Sequence, residues 1–397
     1  MMMKTIINQI SSIGVPIAGL LFLYVINPFN LGYLFGLALI PLLIIKKDFI
    51  IKSLDRNFML ITLLSVTYAA FYTFHAAETK GLAYIGIYSL MPPTFYLLGK
   101  YILAKQNSPK NLFYLSFFIF TLYSLPALIS VLLVFFEGGF SQFKRTLPMF
   151  WDGRELSATI MGSYLTFNMC LSAILIVNLG RQKLLYNLLF GAIFVLSLIS
   201  AIRLGSRTQL SIFLITTAVV IFYLMPRQSL KRNVFLFMFL GAVIAYILST
   251  ISFDLREDWL TNFADRMDSS GGDIASGGGR SERWIKSLEN LFKKPLGWDK
   301  EEFGHAHNLW LDVLRAAGII PFILLLLFTF NSLKQVRKAI RINPQWLVLN
   351  VSIFTYTIAF LLIFMVEPIF DGIFSLFVLF CLYIGMINNY TLRTTVK

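Results

Sequence analysis

Long apolar runs alternate with short polar joints along this chain, and twelve of the runs read as helices in lipid: about 10–27, 29–45, 58–75, 81–99, 112–136, 156–179, 184–202, 208–225, 233–253, 309–330, 346–366 and 369–390. Crossing about 30 Å of hydrocarbon takes about 20 mostly apolar helical residues. The pattern predicts an all-α, polytopic membrane protein with about twelve transmembrane helices. The first run is followed at once by another and carries no small-residue cleavage site, so it is expected to be retained rather than removed as a signal peptide. One polar stretch of about 55 residues, 254–308, separates helices 1–9 (residues 1–253) from helices 10–12 (residues 309–397).

Composition agrees. With 57% hydrophobic and 14% charged residues, and a mean hydropathy of +0.74, a water-soluble globule and a disordered chain are excluded. Cys170 and Cys381 lie inside apolar runs, which argues against a disulfide framework or a cysteine metal site. The chain has 34 basic and 20 acidic residues and a net charge of +14, a balance that in a soluble protein would suggest nucleic acid. Here the positive-inside bias explains it, and no nucleic-acid partner is expected. Twelve spans put both termini on one side. The joints of that side hold 19 Lys and Arg with only Asp48 and Asp55 as acids, whereas the other side holds 15 basic and 18 acidic residues. The termini are therefore expected to be cytoplasmic and the long loop to lie on the outer face.

Within that loop, residues 269–280 (SSGGDIASGGGR) read as a glycine-rich hinge, and residues 284–294 (WIKSLENLFKK) place Trp284, Leu288, Leu291 and Phe292 on one helical stripe before Pro295. The stripe predicts a helix lying on the bilayer surface, and the pair resembles a hinged lid. The glycines are no nucleotide loop, because no Lys-Ser/Thr follows them. Energy for chemistry outside must arrive with the substrate.

Two of the three histidines, His305 and His307, stand in GHAHNLW where the loop meets the tenth run; His75 is near the outer end of the third, beside Glu78. A histidine can take a proton from a sugar hydroxyl at neutral pH, and an HxH pair can ligate zinc, but no third ligand of clear spacing accompanies it. No metal is assigned. Arg203 and Arg207 (IRLGSRTQL) sit at an outer turn against the charge bias, and Arg280 and Arg283 (GGRSERW) follow the glycines. Planar guanidinium forks match phosphate oxygens, so these pairs are candidate pyrophosphate ligands; anchoring to anionic lipid headgroups is the alternative. Asp312 and Arg315, three apart on a helix, are expected to neutralise each other. Glu367 and Asp371 are candidate partners of the outer arginines, and WDGRE (151–155), with Trp151 and Arg154, suits stacking and hydrogen bonding on sugars.

These motifs in this order, GSRTQL after a span, GGR with Trp at the fourth position, PLGW, then HAHNLWLDVLRAAGIIPF entering a helix, resemble the O-antigen ligase and O-antigen polymerase family of bacterial inner membranes. The likeness is close over about residues 190–330. It implies a GT-C-like, metal-independent, inverting glycosyltransferase without cofactor, working on the periplasmic face. The implied donor is a glycan on undecaprenyl diphosphate, and the implied acceptor is a lipid-linked glycan or lipid A core. Membrane lipids are the implied surroundings, and a chain-length regulator stays open as a partner. By that resemblance His307, Arg280 and Arg207 are the catalytic residues, with Arg203, Arg283, His305 and Asn308 as further substrate-binding candidates, to which the WDGRE segment adds Arg154. The wording of the HNLWLD segment resembles polymerases more than ligases. A lipid-linked oligosaccharide flippase also has about twelve spans, but internal repeats and midplane charges are not evident here.

Overall fold

The computed structural model describes residues 11–75, 81–104, 108–140, 146–178, 184–250, 252, 254, 257–261, 280–302 and 304–394. Glu78 and the glycine-rich 269–279 lie outside the described residues, and of His75 only the backbone, closing a helix, is described. The protein is an all-α membrane protein with one small hairpin.

Two compact units divide the chain, Met1–Tyr123 with Ala275–Lys397, and Ser124–Ile274. The first unit holds α1 (Val15–Ile26), α2 (Gly32–Ile44), α3 (Lys47–Ser53), α4 (Arg56–His75), α5 (Ala83–Ala104) and the first half of α6 (Pro109–Gly138). The second continues α6 and adds the hairpin β1 (Thr146–Pro148) and β2 (Glu155–Ser157), then α7 (Ala158–Tyr164), α8 (Leu171–Asn178), α9 (Leu184–Arg203), α10 (Arg207–Leu224) and α11 (Leu230–Thr250). The chain then returns to the first unit with α12 (Arg280–Lys293), α13 (Leu309–Ala317), α14 (Ile319–Ile342), α15 (Leu347–Val366), α16 (Ile369–Gly372) and α17 (Phe374–Thr394).

All twelve apolar runs carry helix, but not twelve full spans. Among the described residues seven helices are long and apolar enough to cross a membrane, α6, α9, α10, α11, α14, α15 and α17, and an eighth span results if the pair bent by 51° around Tyr164–Asn168 counts as one. α1 and α2, at 12 and 13 residues, are too short to cross straight. α4 and α5 have the length, 20 and 22 residues, with tyrosine, serine and threonine spread through them.

The tenth run differs most from expectation. Instead of one span from 309, the chain makes the nine-residue α13, breaks at Gly318, and restarts as α14, which runs on to Ile342. The break sits where only glycine fits: Gly318 has φ +78°, and a Cβ there would collide with the Pro295 carbonyl oxygen. The preceding turn is fastened to this junction, with Ile319 N donating to Pro295 O (2.8 Å) and Trp298 N to Arg315 O (2.9 Å). The PLGW motif thus works as a clasp. Pro295 follows α12, Gly297 lets the backbone pass over the Arg315 carbonyl, and Trp298 packs with Ala306, Leu311 and Leu314.

Close helix packing organises the rest of the first unit. α5 and α17 cross where Gly99 and Gly385 bring the backbones together, the small-residue contact typical of helices in lipid. Tyr68, Tyr88, Phe370 and Phe374 interlock above this crossing, Tyr88 OH donating to Phe370 O at 3.0 Å. The second unit surrounds its bent pair differently, with Asn168 Nδ2 donating to Ser197 Oγ (2.9 Å).

Candidate active site

The first unit gathers five of the eight candidate residues: Arg280, Arg283, His305, His307 and Asn308. Two hydrogen bonds tie α12 to the histidine segment, Arg283 Nη1 donating to His305 O (3.2 Å) and Trp284 Nε1 to Ala306 O (2.8 Å). Trp284 and Leu291 pack on the Trp298 cluster, whereas Leu288 and Phe292 are 55% and 80% exposed. The expected stripe is present, and its two edges differ: the Trp284–Leu291 edge holds the helix to the protein, and the Leu288–Phe292 edge is exposed.

The histidine turn is built from backbone chemistry. Asn308 caps α13, its Oδ1 accepting from Trp310 N (3.2 Å) and Leu311 N (3.3 Å). In return the buried Asp312 carboxylate accepts from Ala306 N (2.8 Å) and Asn308 N (3.1 Å), the two amides flanking His307. Held between them, His307 adopts φ +53°, a left-handed conformation uncommon for a residue with a side chain. The oxygen of Asn308 is thus committed to the helix.

Asp312 does not serve mainly as the counter-charge of Arg315. The guanidinium Nε lies 4.0 Å from Asp312, while Nη2 donates to Asp371 Oδ2 at 2.8 Å. Asp371 also stands 3.2 Å from His305 Nδ1. Asp371 therefore stands between Arg315, which donates to it, and His305, whose Nδ1 lies close but makes no hydrogen bond among the described residues. Asp312→Ala strands two buried amides at roughly 1–3 kcal/mol each. The melting temperature of the purified variant is expected to fall by several degrees; an unchanged one would show that the carboxylate does not hold the turn.

His307 is differently placed. Its ring centroid is 6.2 Å from that of His305, and its Nδ1 is buried without a hydrogen-bond partner among the described residues. Burial, then the electrostatic influence of Arg280, His305 and Arg283, holds its pKa down from 6.5 to about 4. The ring is neutral at pH 7. Because the folded value lies below the unfolded one, its contribution to stability is full above pH 6.5 and lost as the pH falls toward 4. Thermal melts of the wild type are therefore expected to show a loss between pH 6.5 and 4 that His307→Asn lacks; identical pH dependence in both would contradict the assignment.

Arg280 and Arg283 stand in the first turn of α12, where the helix dipole disfavours cations and favours anions. An anionic ligand placed there meets two guanidiniums and a helix N-terminus. Glu282, the acid of that turn, is paired with Lys286 at 2.7 Å and points elsewhere on the helix. Among the described residues no group of three or more His, Cys, Asp and Glu is arranged to hold a metal ion.

Arg154, Arg203 and Arg207 belong to the second unit. Arg203 is buried and closes α9; Arg207 is exposed and opens α10, a three-residue turn later, with Ser206 Oγ donating to Gln209 Oε1 in that turn. Arg154 and Trp151 lie in the loop of the β1–β2 hairpin, where Arg154 Nε and Trp151 Nε1 are buried donors lacking a partner among the described residues. The hairpin was not foreseen from the sequence; its only local signal is Asp152-Gly153, a turn dipeptide at its tip. Asp371 and Asp312 are the site residues whose roles the sequence left unsettled.

No family model matches this chain, and no curated protein matches it.

Proposed function

We propose that the protein is a membrane glycosyltransferase that moves a glycan from undecaprenyl diphosphate to an acceptor sugar hydroxyl on the periplasmic face of a bacterial inner membrane, with a second lipid-linked glycan as acceptor, the polymerase reaction. The observation that carries this reading is a His307 imidazole, its Nδ1 buried without a partner among the described residues, that feels the charges of Arg280 and Arg283. Base and anion ligands are thereby neighbours, as displacement of a diphosphate requires.

In the proposed step the acceptor oxygen bonds to the anomeric carbon as the bond from that carbon to the diphosphate oxygen breaks. His307 takes or holds the hydroxyl proton, and polyprenyl diphosphate leaves with the negative charge. Attack opposite the leaving group inverts the anomeric centre. Arg280 and Arg283 oppose the growing charge, which lowers the barrier only so far as they bind the departing diphosphate more tightly than the bound donor. Donor binding also primes the base: the diphosphate cancels the two guanidinium charges that depress the His307 pKa, so the ring becomes more basic when the donor is present. For Arg207, which belongs to the other unit, the family resemblance alone gives a catalytic part.

Deleting the gene tests the acceptor. Loss of long chains with one repeat still attached to the core supports the polymerase reading. Loss of all attached glycan supports transfer to lipid A core, and unchanged surface polysaccharide overturns both.

A further inference from the structure

α14 presents one exposed face over its whole length, and that face changes chemistry part-way. Its first half shows Ile320, Ile323, Leu327 and Phe330, which are 39–59% exposed. Its second half shows Lys334, Arg337, Lys338 and Arg341, all exposed. The spacing of three and four residues keeps both sets within one narrow stripe at 3.6 residues per turn. The opposite face is packed: Leu325, Phe328, Ser332, Val336 and Ala339 are buried. The four cations line an open cleft of about 390 Å³ with Ile342.

Helix-end charge alone does not account for this arrangement. The dipole acts over the last turn, whereas Lys334 lies two turns before the end of the helix. General charge bias asks for basic residues near the membrane, not for four on a stripe aligned with exposed apolar residues. Among the described residues no ion pair engages any of the four, so their charges meet no protein carboxylate.

We infer that α14 carries a binding site for an anionic phospholipid, with the phosphate headgroup on Lys334, Arg337, Lys338 and Arg341 and an acyl chain along Ile320, Ile323, Leu327 and Phe330. Both halves are needed to choose this occupant. The apolar half is the part of a candidate membrane span that meets acyl chains, and the cations continue the same stripe, so a lipid carrying an anionic headgroup meets both, a soluble phosphate only the cations and a neutral lipid only the apolar half. The four cations extend over ~10 Å of helix at 1.5 Å per residue, room for more than one phosphate oxygen cluster. The site stands apart from the histidine turn, and its occupancy does not depend on the transfer reaction.

Native mass spectrometry of the purified full-length protein tests it, with dioleoyl phosphatidylglycerol, dioleoyl phosphatidylcholine and inorganic pyrophosphate as probes. Phosphatidylglycerol is expected to be retained at least tenfold more tightly than phosphatidylcholine. Replacing all four cations by Gln should remove that preference, and the milder pair Arg337→Gln with Arg341→Gln should weaken it severalfold in a protein with unchanged melting temperature. Lys231→Gln with Arg232→Gln, exposed cations of the other unit, should leave it intact. Leu327→Ser with Phe330→Ser should loosen phosphatidylglycerol while the cations remain. Equal retention of the two lipids, or phosphatidylglycerol binding indifferent to Arg337 and Arg341, overturns the site. Pyrophosphate binding that matches the lipid and ignores Leu327 and Phe330 overturns the lipid as its occupant.

Discussion

Replacing His307 by Asn is expected to lower glycan transfer by at least ~100-fold, the lower end of what a positioned general base contributes. Asparagine is the informative replacement because it tolerates the left-handed backbone that this position adopts, so the turn between Ala306 and Asn308 survives. The imidazole Nδ1 has no hydrogen-bond partner among the described residues, so its loss breaks no internal bond there. The amount of protein in the membrane is therefore expected to stay unchanged while transfer disappears. His305→Asn gives the contrast. His305 lies 3.2 Å from Asp371, the carboxylate that Arg315 binds, and its replacement should reduce transfer less. Wild-type transfer in the His307 variant, measured at equal membrane content, would remove the imidazole from the mechanism.

Arg280→Ala is expected to cost ~100- to 1,000-fold in turnover, in line with removal of one preorganised group that stabilises developing negative charge. It should also leave a second, independent trace. After burial, Arg280 is the foremost cause of the low His307 pKa. Removing its charge raises that pKa, so the acidic limb of any residual pH-rate profile should move upward. Arg280→Lys keeps the point charge but not the planar fork, and should recover part of the rate and restore the acidic limb. A loss of activity with an unmoved limb would mean that Arg280 acts through folding rather than beside His307.

Hydropathy made the helices legible, since lipid selects for apolar length and little else. It failed where apolarity continues through a break. The segment LRAAGIIPF reads as uninterrupted span, but the chain turns at Gly318, where only glycine fits because the Pro295 carbonyl, 23 residues away in sequence, fills the space a Cβ would need. Periodicity likewise found the apolar face of α12 but not which edge of it packs, because Trp284 and Leu291 differ from Leu288 and Phe292 only in what stands opposite them.

At the candidate site, the sequence singled out the candidate residues and missed their supports. Spacing paired Asp312 with Arg315; in the fold Arg315 finds Asp371, 56 residues on, and Asp312 serves two backbone amides. Backbone amides carry no residue identity, so such a partner leaves no trace in a sequence pattern. The left-handed conformation of His307 is hidden for the same reason, as it follows from the two anchored amides and not from any preference of histidine.

The most direct test combines the purified protein with undecaprenyl-diphosphate-linked glycan and a sugar acceptor, in the presence of a chelator. The account predicts one new glycosidic bond of inverted configuration for each undecaprenyl diphosphate released, and neither product with His307→Asn. Movement of intact lipid-linked glycan across a vesicle with no new bond formed would contradict it.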